Sequence, residues 1–277
     1  MKTAINLSLT GVEFHYSNTS KALDVLNLEI NPGEWVALLG ANGSGKSTLL
    51  RIIGALLLPT QGFCYINGQR TDNSDAINRI RQKIGFIFQN PDDQIVASTV
   101  EEDVAFAPEN MGLSPEEIKI RVQRALKQTG LSEKQKSQVA SLSGGEKQRL
   151  ALAGVLTMEP DLLLLDEATS MLDPSARKTF MEIIKKEHKK GTTIIQVTHK
   201  LEEIVDCDRV VIMSDGHIAW QGGREKFFEN SEELASQMKL TLPSLLKLKN
   251  ILSQKGIIPE ETALDPGKIE EQICLSR

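Results

Sequence analysis

Two glycine-bearing loops, far apart in the chain, carry residues suited to binding phosphate. The first, residues 40–47, is Gly-Ala-Asn-Gly-Ser-Gly-Lys-Ser and fits the pattern G-x-x-x-x-G-K-[ST]. Backbone N–H groups of such a loop point at phosphate oxygens, Lys46 can bridge the β- and γ-phosphates, and the Ser47 hydroxyl can bind Mg²⁺. The alternative is a glycine turn with a surface lysine, but a chance match is expected in only roughly one chain in a hundred. The predicted phosphate-binding residues are Gly40, Asn42, Gly43, Ser44, Gly45, Lys46, Ser47 and Thr48.

The second loop, residues 142–146, is Leu-Ser-Gly-Gly-Glu and precedes a predicted helix. Glycines let backbone N–H groups approach an anion, and the dipole of a helix adds attraction. Ser143, Gly144 and Gly145 therefore form a second candidate phosphate-binding segment. Taken alone, a flexible loop with a serine N-cap is the better interpretation, and the position of the segment in the chain favours phosphate binding instead. One nucleotide does not need two such loops from one polypeptide.

An acidic pair, Asp166 and Glu167, follows four consecutive leucines at residues 162–165. Such an apolar run is typical of a strand buried on both faces, and parallel sheets bind ligands at the carboxyl ends of their strands. A carboxylate at that position suits Mg²⁺ held through water, which we assign to Asp166. Glu167 can orient and deprotonate an attacking water. An isolated Asp-Glu pair would be an ordinary acidic turn, and the phosphate loop upstream makes that interpretation the weaker one.

Hydrophobic patterning predicts the elements that must position these groups. A strand, the glycine loop and a helix follow one another at 34–58, which is the context of a phosphate-binding loop. The segment 91–158 is predicted to be largely helical, including a helix that begins after Ser114-Pro115 and ends at Gly130. A helical tail follows residue 223, with leucines at 242, 245, 246, 248 and 252 as a candidate amphipathic face. Other predicted strands cover 7–16, 23–30, 84–89, 162–165, 193–198, 209–214 and 218–222.

Composition limits the function classes that remain. The net charge of −5 argues against a general nucleic-acid binder. No apolar run has the length of a membrane span, and the N-terminus lacks the pattern of a signal peptide, so we expect a cytoplasmic chain. The three cysteines are scattered and are expected to be reduced thiols, and the four histidines lack the spacing of metal ligands.

The combined motifs resemble the nucleotide-binding subunits of ATP-binding cassette (ABC) proteins over about residues 5–222. The resemblance implies an α/β P-loop NTPase cassette with a mixed core sheet, an N-terminal antiparallel β region and a helical subdomain. It implies a cassette domain at 1–222, a helical subdomain at about 91–158, and a small helical C-terminal extension at 223–277 that could support dimerisation. Such subunits pair head to tail, so that each phosphate loop faces the partner's 142–146 segment and ATP holds the dimer together.

The same resemblance implies roles for further residues. Tyr16 would stack on adenine, although a tyrosine at a strand end is also common. Gln89 would reach Mg²⁺ and the attacking water, and His199 would contact the γ-phosphate. Asp173 lies in a loop that communicates across the dimer. The implied catalytic residues are Lys46, Gln89, Glu167 and His199, and the implied Mg²⁺ ligands are Ser47, Gln89 and Asp166.

Two positions depart from the family pattern. Glu146 stands where glutamine is usual and adds a negative charge near the partner's nucleotide. Met171 stands where a small residue is more frequent. Neither departure removes a predicted catalytic group, so we expect an active ATP hydrolase.

The stretches 88–94, 99–106 and 166–174 look like the ATPases of energy-coupling factor (ECF) transporters, which import vitamins or cobalt and nickel ions. The chain resembles the first of their two paralogous ATPases. The implied partners are a second ATP-binding subunit, a transmembrane coupling protein and a substrate-capturing membrane protein, with no nucleic acid. A heterodimer is expected and a homodimer is the alternative, bound peripherally at the cytoplasmic face of the cell membrane.

Two other functions are compatible with a phosphate-binding loop. The ATPase of another ABC importer, for metal or amino acid uptake, is the main alternative. A soluble P-loop kinase or GTPase is disfavoured because the chain has no Asn-Lys-x-Asp motif and the second loop would have no task.

An acidic segment follows Gln89. We expect it to receive arginine-bearing helices of the coupling protein, with a solvated acidic face as the alternative. The C-terminal leucine face is expected to help two ATPases stay paired without ATP, or else to pack on its own domain. The acidic residues are Asp92, Asp93, Glu101, Glu102 and Asp103.

Overall fold

The computed structural model describes residues 5–17, 20–229, 244–259, 262 and 266–275. Its strands are β1 (Leu7–Ser17), β2 (Ser20–Ile30), β3 (Trp35–Gly40), β4 (Gln61–Ile66), β5 (Gln69–Arg70), β6 (Ile84–Ile87), β7 (Leu162–Asp166), β8 (Thr193–Val197), β9 (Arg209–Ser214) and β10 (His217–Gly223). Its helices are α1 (Lys46–Ile53), α2 (Ser74–Arg81), α3 (Val100–Asn110), α4 (Pro115–Thr129), α5 (Gly144–Thr157), α6 (Pro174–Lys189), α7 (Arg224–Glu229), α8 (Ser244–Gln254) and α9 (Pro266–Leu275).

A six-stranded sheet with the order β10-β9-β3-β8-β7-β6 forms the centre of the cassette. Its strands are parallel except for β10, which pairs antiparallel with β9. Every residue of β3, β7 and β8 is buried, because apolar clusters cover both faces of the sheet. This burial explains the continuous apolar runs in the sequence. The carboxyl ends of β3, β6, β7 and β8 consequently lie along one edge, where the predicted site residues follow.

A second sheet, with the order β2-β1-β4-β5, is antiparallel throughout. It carries Tyr16 near the end of β1. The patterning did not predict β4, β5 or α2. The helix α1 is also shorter than predicted, since it ends at Ile53 rather than at 58. Residue Ala55 adopts a positive φ of 54°, which ends the helical turn there.

The helices α3, α4 and α5, with three short 3₁₀ turns, lie in the segment 91–158. Capping boxes begin two of them, Thr99 with Glu102 at α3 and Ser143 with Glu146 at α5. The α4 helix begins at the predicted Ser114 cap and ends at Gly130 in the left-handed conformation. The mixed core sheet, the antiparallel β region, the helical region and the helical C-terminal segment confirm the predicted fold class.

The predicted leucine face of the C-terminal segment divides between two environments. Leu246 on α8 is 1% exposed, whereas Leu248 is 46% exposed. Leu252 is partly buried, and both Leu242 and the side chain of Leu245 lie outside the described residues. Among the helices that the structure describes, none has the length and apolar character needed to cross a bilayer.

Candidate active site

The phosphate loop forms the connection between β3 and α1, and its glycines are required by its geometry. Gly40, Gly43 and Gly45 have φ values of 144°, 81° and 100°. A Cβ atom at Gly40 would lie 2.2 Å from the carbonyl oxygen of Met213, and one at Gly45 would lie 2.6 Å from that of Ala22. No side chain fits at either position without displacing backbone. The loop therefore keeps a shape that only glycine permits.

The N-terminus of α1 has unused hydrogen-bond donors. Its cap residue, Gly45, supplies no side-chain hydrogen bond, so the first N–H groups of the helix remain open. Lys46 is 5% exposed, and its Nζ donates to the carbonyl oxygens of Gly40 at 2.9 Å and Ala41 at 2.8 Å. Burial lowers the pKa of Lys46, while the carboxylates of Glu167 and Asp166 oppose that shift. Open N–H groups beside a buried ammonium make a site for a polyanion.

The donor set beside Lys46 suits a hard divalent cation. Ser47 Oγ donates to Asp166 Oδ1 at 2.9 Å, which brings two of the three predicted ligands into direct contact. Burial raises the pKa of Asp166, and the hydrogen bond from Ser47 is the main opposing influence. A hydroxyl and a carboxylate fit Mg²⁺, which keeps water and phosphate among its ligands. Within the described residues, no group of three or more His, Cys, Asp or Glu side chains is arranged to hold a metal ion.

Glu167 is held between two other predicted catalytic residues. Its Oε1 lies 2.8 Å from His199 Nε2, and its Oε2 accepts a hydrogen bond of 3.0 Å from Gln89 Nε2. The three residues follow the ends of β7, β8 and β6, respectively. Glu167 has a φ of 48°, a conformation that is uncommon for a residue with a side chain. The sheet edge thus brings together a carboxylate, an imidazole and an amide near the phosphate loop.

Tyr16 lies beside the first turn of α1. Its hydroxyl is 3.1 Å from Thr48 Oγ1, and its ring packs edge-to-face on Phe14 at a centroid distance of 4.9 Å. The ring is 55% exposed, so a face remains open to solvent. Stacking on a base stays a prediction, and this position is compatible with it.

The second loop presents Gly144 to solvent, whereas Gly145 is partly buried. Ser143 caps α5, and Glu146 completes the capping box by accepting from Ser143 N at 2.9 Å and from its Oγ at 3.0 Å. Gly144 is exposed, and a Cβ atom there would meet nothing within 4 Å. In the described part of the chain, no hydrogen bond joins residues 142–146 to the phosphate loop. The two candidate phosphate-binding loops are therefore not joined within one subunit.

The unusual Glu146 is compensated locally. Its Oε1 forms an ion pair with Lys134. This hydrogen bond, together with that from the backbone of Ser143, lowers the pKa of Glu146 to about 2. The expected extra negative charge is thus paired with an ammonium of the same chain.

Comparison with known proteins identifies the family. Residues 23–170 match the family model described as ABC transporter. The ECF transporter ATP-binding protein EcfA of Methanosarcina acetivorans is 42% identical over 97% of this chain and 97% of that protein. EcfA1 of Clostridium novyi is 45% identical over 91% of this chain and 90% of that protein. The chain belongs to the ATP-binding proteins of ECF transporters, within the ABC family.

Solved structures agree with this assignment. The structure of cbiO1 from Clostridium perfringens, part of the ABC transporter complex cbiONQ, has a TM-score of 0.75 and 36% identity, with 88% of this chain and 98% of that chain covered. A dimeric ABC cassette in a post-hydrolysis state bound to ADP and Pi has a TM-score of 0.72 and 32% identity, with 78% and 98% covered. The predicted family is confirmed, and the ECF protein is an ATP-binding enzyme whose hydrolysis of ATP is coupled to transport.

Contacts that the sequence did not indicate connect α5 of the ECF protein to the segment after β6. Lys147 Nζ lies 2.7 Å from Asp92 Oδ1, and Gln148 Nε2 donates to the carbonyl oxygen of Phe88 at 3.2 Å. These contacts join the helix of the second loop to the segment that carries Gln89. Neither pairing has a signal in the sequence, because the partners lie more than 50 residues apart.

Fewer carboxylates of the acidic segment are exposed than the sequence predicts. Asp103 is buried and accepts hydrogen bonds from the backbone N–H groups of Val96 and Ala97, so the expectation that it receives a partner is wrong. Glu102 completes the capping box of α3, and hydrogen bonds from Thr99 lower its pKa. The Thr-x-x-Glu spacing could have shown this in advance. Asp92 and Asp93 remain exposed.

Proposed function

We propose that this chain powers an ECF importer of vitamins or transition-metal ions through ATP-driven closure of a head-to-tail dimer of cassette subunits. One observation carries the proposal: Gly144 at the N-terminus of α5 is exposed, and no hydrogen bond among the described residues joins it to the phosphate loop of its own chain. A phosphate-binding loop in that position is useful only to a nucleotide held by another subunit. In the closed dimer each ATP lies between the phosphate loop of one subunit and residues 143–145 of its partner.

The phosphate loop and Lys46 bind the triphosphate. The Lys46 ammonium now donates to two loop carbonyls, and phosphate oxygens replace those acceptors when ATP enters. Ser47, Asp166 and Gln89 would hold Mg²⁺, which would neutralise charge on the β- and γ-phosphates. Tyr16 lies beside Thr48 and supplies a ring face for adenine.

Glu167 acts as the general base. Its carboxylate takes a proton from the attacking water. Its position directly after β7 supports this role. His199 and Gln89 contact its two oxygens and fix the direction of the carboxylate before the reaction. In the proposed reaction the same two side chains contact the γ-phosphate and the attacking water, respectively.

The variant Glu167→Gln tests this assignment. The substitution keeps the shape and removes the base, so we expect turnover to fall roughly 10²- to 10⁴-fold while ATP binding is retained. The trapped ATP should stabilise a dimer in sedimentation velocity experiments. Glu116→Gln, an exposed carboxylate on α4, serves as the control and should behave as the wild type. A variant that stays monomeric in excess ATP, or that keeps normal turnover, would contradict the proposal.

The proposed partners are a second ATP-binding subunit, a transmembrane coupling protein and a substrate-capturing membrane protein, which hold the chain at the cytoplasmic face of the membrane. The similarity to cbiO1, part of the complex cbiONQ, supports this assembly. We propose that the exposed carboxylates of Asp93 and of Asp92, which also pairs with Lys147, receive arginines of the coupling protein.

Co-purification from membranes tests these partners. Asp93→Lys should lower recovery of the coupling protein without altering ATP binding, whereas Glu109→Lys, at the exposed end of α3, should not. Recovery that is equal for both variants would contradict docking at Asp93. Recovery of channel subunits without a second cassette or a capture protein would point to another importer class.

The C-terminal helices are proposed to keep two ATPases paired without nucleotide. Leu248 and Ile251 on α8 are 46% and 49% exposed, which leaves apolar surface for a partner. Leu248→Asp with Ile251→Asp should abolish nucleotide-free pairing and leave folding intact, as measured by light scattering and thermal melting. Persistence of the pair would show that these helices serve only their own subunit.

A further inference from the structure

A buried carboxylate behind the catalytic residues, Glu203, gathers hydrogen bonds from two separate loops. Glu203 is 4% exposed and lies in the 3₁₀ turn Leu201–Ile204. Its Oε2 accepts from Gln196 Nε2 and from Thr198 Oγ1, each at 2.8 Å. Its Oε1 accepts from the hydroxyl of Thr169. A buried carboxylate is costly to leave without hydrogen-bond donors. These three hydrogen bonds therefore favour one arrangement of the surrounding residues.

Two of the three donors belong to the loops that carry the catalytic pair. Thr198 directly precedes His199, and Thr169 lies two residues after Glu167. Gln196 is itself oriented, because its Oε1 accepts from Trp35 Nε1 at 3.2 Å. The Glu203 carboxylate thus fixes the His199 loop and the loop after Glu167 relative to each other.

Two cationic side chains donate hydrogen bonds to the backbone of the loop after Glu167. Lys200 Nζ donates to the carbonyl oxygen of Thr169 at 3.0 Å. Arg177 Nη2 donates to that of Leu172 at 3.3 Å, and its Nε lies 3.8 Å from Glu203 Oε1. The front of the loop is open, since Met171 is 61% exposed. Residues 169–172 are therefore anchored on one side and free on the side that faces a partner in the proposed dimer.

We propose that Glu203 is a positioning residue that couples the partner-facing loop 169–172 to the contact between His199 and Glu167. The inference rests on the proposed function, because it assigns the base role to Glu167. When a partner displaces the front of the loop, the movement is passed through Thr169 to Glu203 and from there to Thr198 and His199. Assembly of the dimer thereby aligns the catalytic pair within each subunit.

The test compares Glu203→Gln with Glu187→Gln, a change of another buried carboxylate, on α6. For Glu203→Gln we expect kcat to fall roughly 10-fold while KM for ATP changes less than about two-fold, since small misplacements act on turnover rather than on binding. Glu187→Gln should lose thermal stability without a comparable loss of kcat. Equal kcat for the two variants would overturn the proposal.

A double-mutant cycle separates positioning from general structural support. Thr169→Val removes one donor and keeps the shape, so we expect a kcat loss of about three-fold that disappears when Glu203 is already Gln. Independent, multiplicative losses would overturn the coupling. The Thr169→Val measurement also stands alone if Glu203→Gln fails to fold, and an unchanged kcat there would equally overturn it. Normal turnover in Glu167→Gln would instead refute the proposed function itself.

Discussion

The two glycine loops of this chain differ in almost every physical respect. The phosphate loop packs against backbone of β2 and β9, has glycines at positive φ, and leads into a helix without a side-chain cap. The second loop is exposed at Ser143 and Gly144, has helical glycines, and leads into a helix capped by Ser143 and Glu146. The shape of the first loop is fixed by contacts with its own chain. The second loop is fixed by its helix cap and is open to a group from outside the chain.

The difference teaches what each set of glycines is for. At Gly40 and Gly45 of the phosphate loop a side chain would clash with backbone, so these glycines serve both folding and binding. At Gly144 a side chain would meet open space, so folding does not require glycine there. At Gly144, which begins α5, the lack of a side chain leaves backbone N–H groups open to an anion from outside the subunit.

The largest effect is expected for Gly144→Asp. A carboxylate at this position would face the partner's γ-phosphate, so ATP hydrolysis should fall roughly 100-fold or more. The same carboxylate lies in the first turn of α5, where the helix dipole favours negative charge, so thermal stability should be unchanged or slightly raised. Steady-state hydrolysis and a thermal melt measure the two quantities.

Gly223→Asp is the matched control for that variant, because a Cβ there also meets nothing within 4 Å. It should hydrolyse ATP normally. If Gly144→Asp were equally active, residues 143–145 would have no place in a nucleotide site.

Substitution by alanine at Gly45 and at Gly144 should change the free energy of unfolding by different amounts. Gly45→Ala places a Cβ 2.6 Å from Ala22 O at a φ of 100°. We expect a loss of about 1–3 kcal/mol in the free energy of unfolding, together with weaker ATP binding. Gly144→Ala should be neutral or gain up to about 1 kcal/mol. Denaturant unfolding measures both, and equal losses would contradict the contrast between the loops.

The smallest effect concerns Glu146. Glutamine preserves the capping box and loses the ion pair with Lys134, so Glu146→Gln should cost about 0.5–1 kcal/mol at neutral pH. Because folding lowers the pKa of Glu146 from 4.5 to about 2, this contribution is fully present above pH 4.5 and is lost as the pH falls towards 2. Unfolding curves of both proteins across that range should converge. A gap that widens on acidification would contradict the pairing with Lys134.

Much of the fold could be predicted because its centre follows simple patterning. The apolar runs that became β3, β7 and β8 are buried on both faces. The unpredicted elements lack that signal. The β4 strand has few buried residues and begins beside Gly62, and α2 buries only Ala76 and Ile80 among its eight residues. The early end of α1 coincides with a positive φ of 54° at Ala55, a conformation that patterning does not predict for alanine.

The site shows the same division. The phosphate loop and Asp166-Glu167 form local sequence motifs from which their chemistry can be predicted. The structure brings Gln89 and His199 to Glu167. The hydrogen bonds at Glu203 and the ion pair of Glu146 with Lys134 have no such motif, since they depend on which loops the fold brings together. Asp103 shows the opposite case, because the acidic segment predicts a surface carboxylate there and the fold buries it.

Mixing two inactive variants tests most directly whether the second loop serves another subunit. Lys46→Ala damages only the phosphate loop, and Gly144→Asp damages only the second loop. In a mixed dimer one nucleotide site combines the intact halves, so hydrolysis should recover to about a quarter of the wild-type rate at equal mixing. Activity that is no greater than the sum of the two separate variants, under conditions where the wild-type chain alone hydrolyses ATP, would contradict the account.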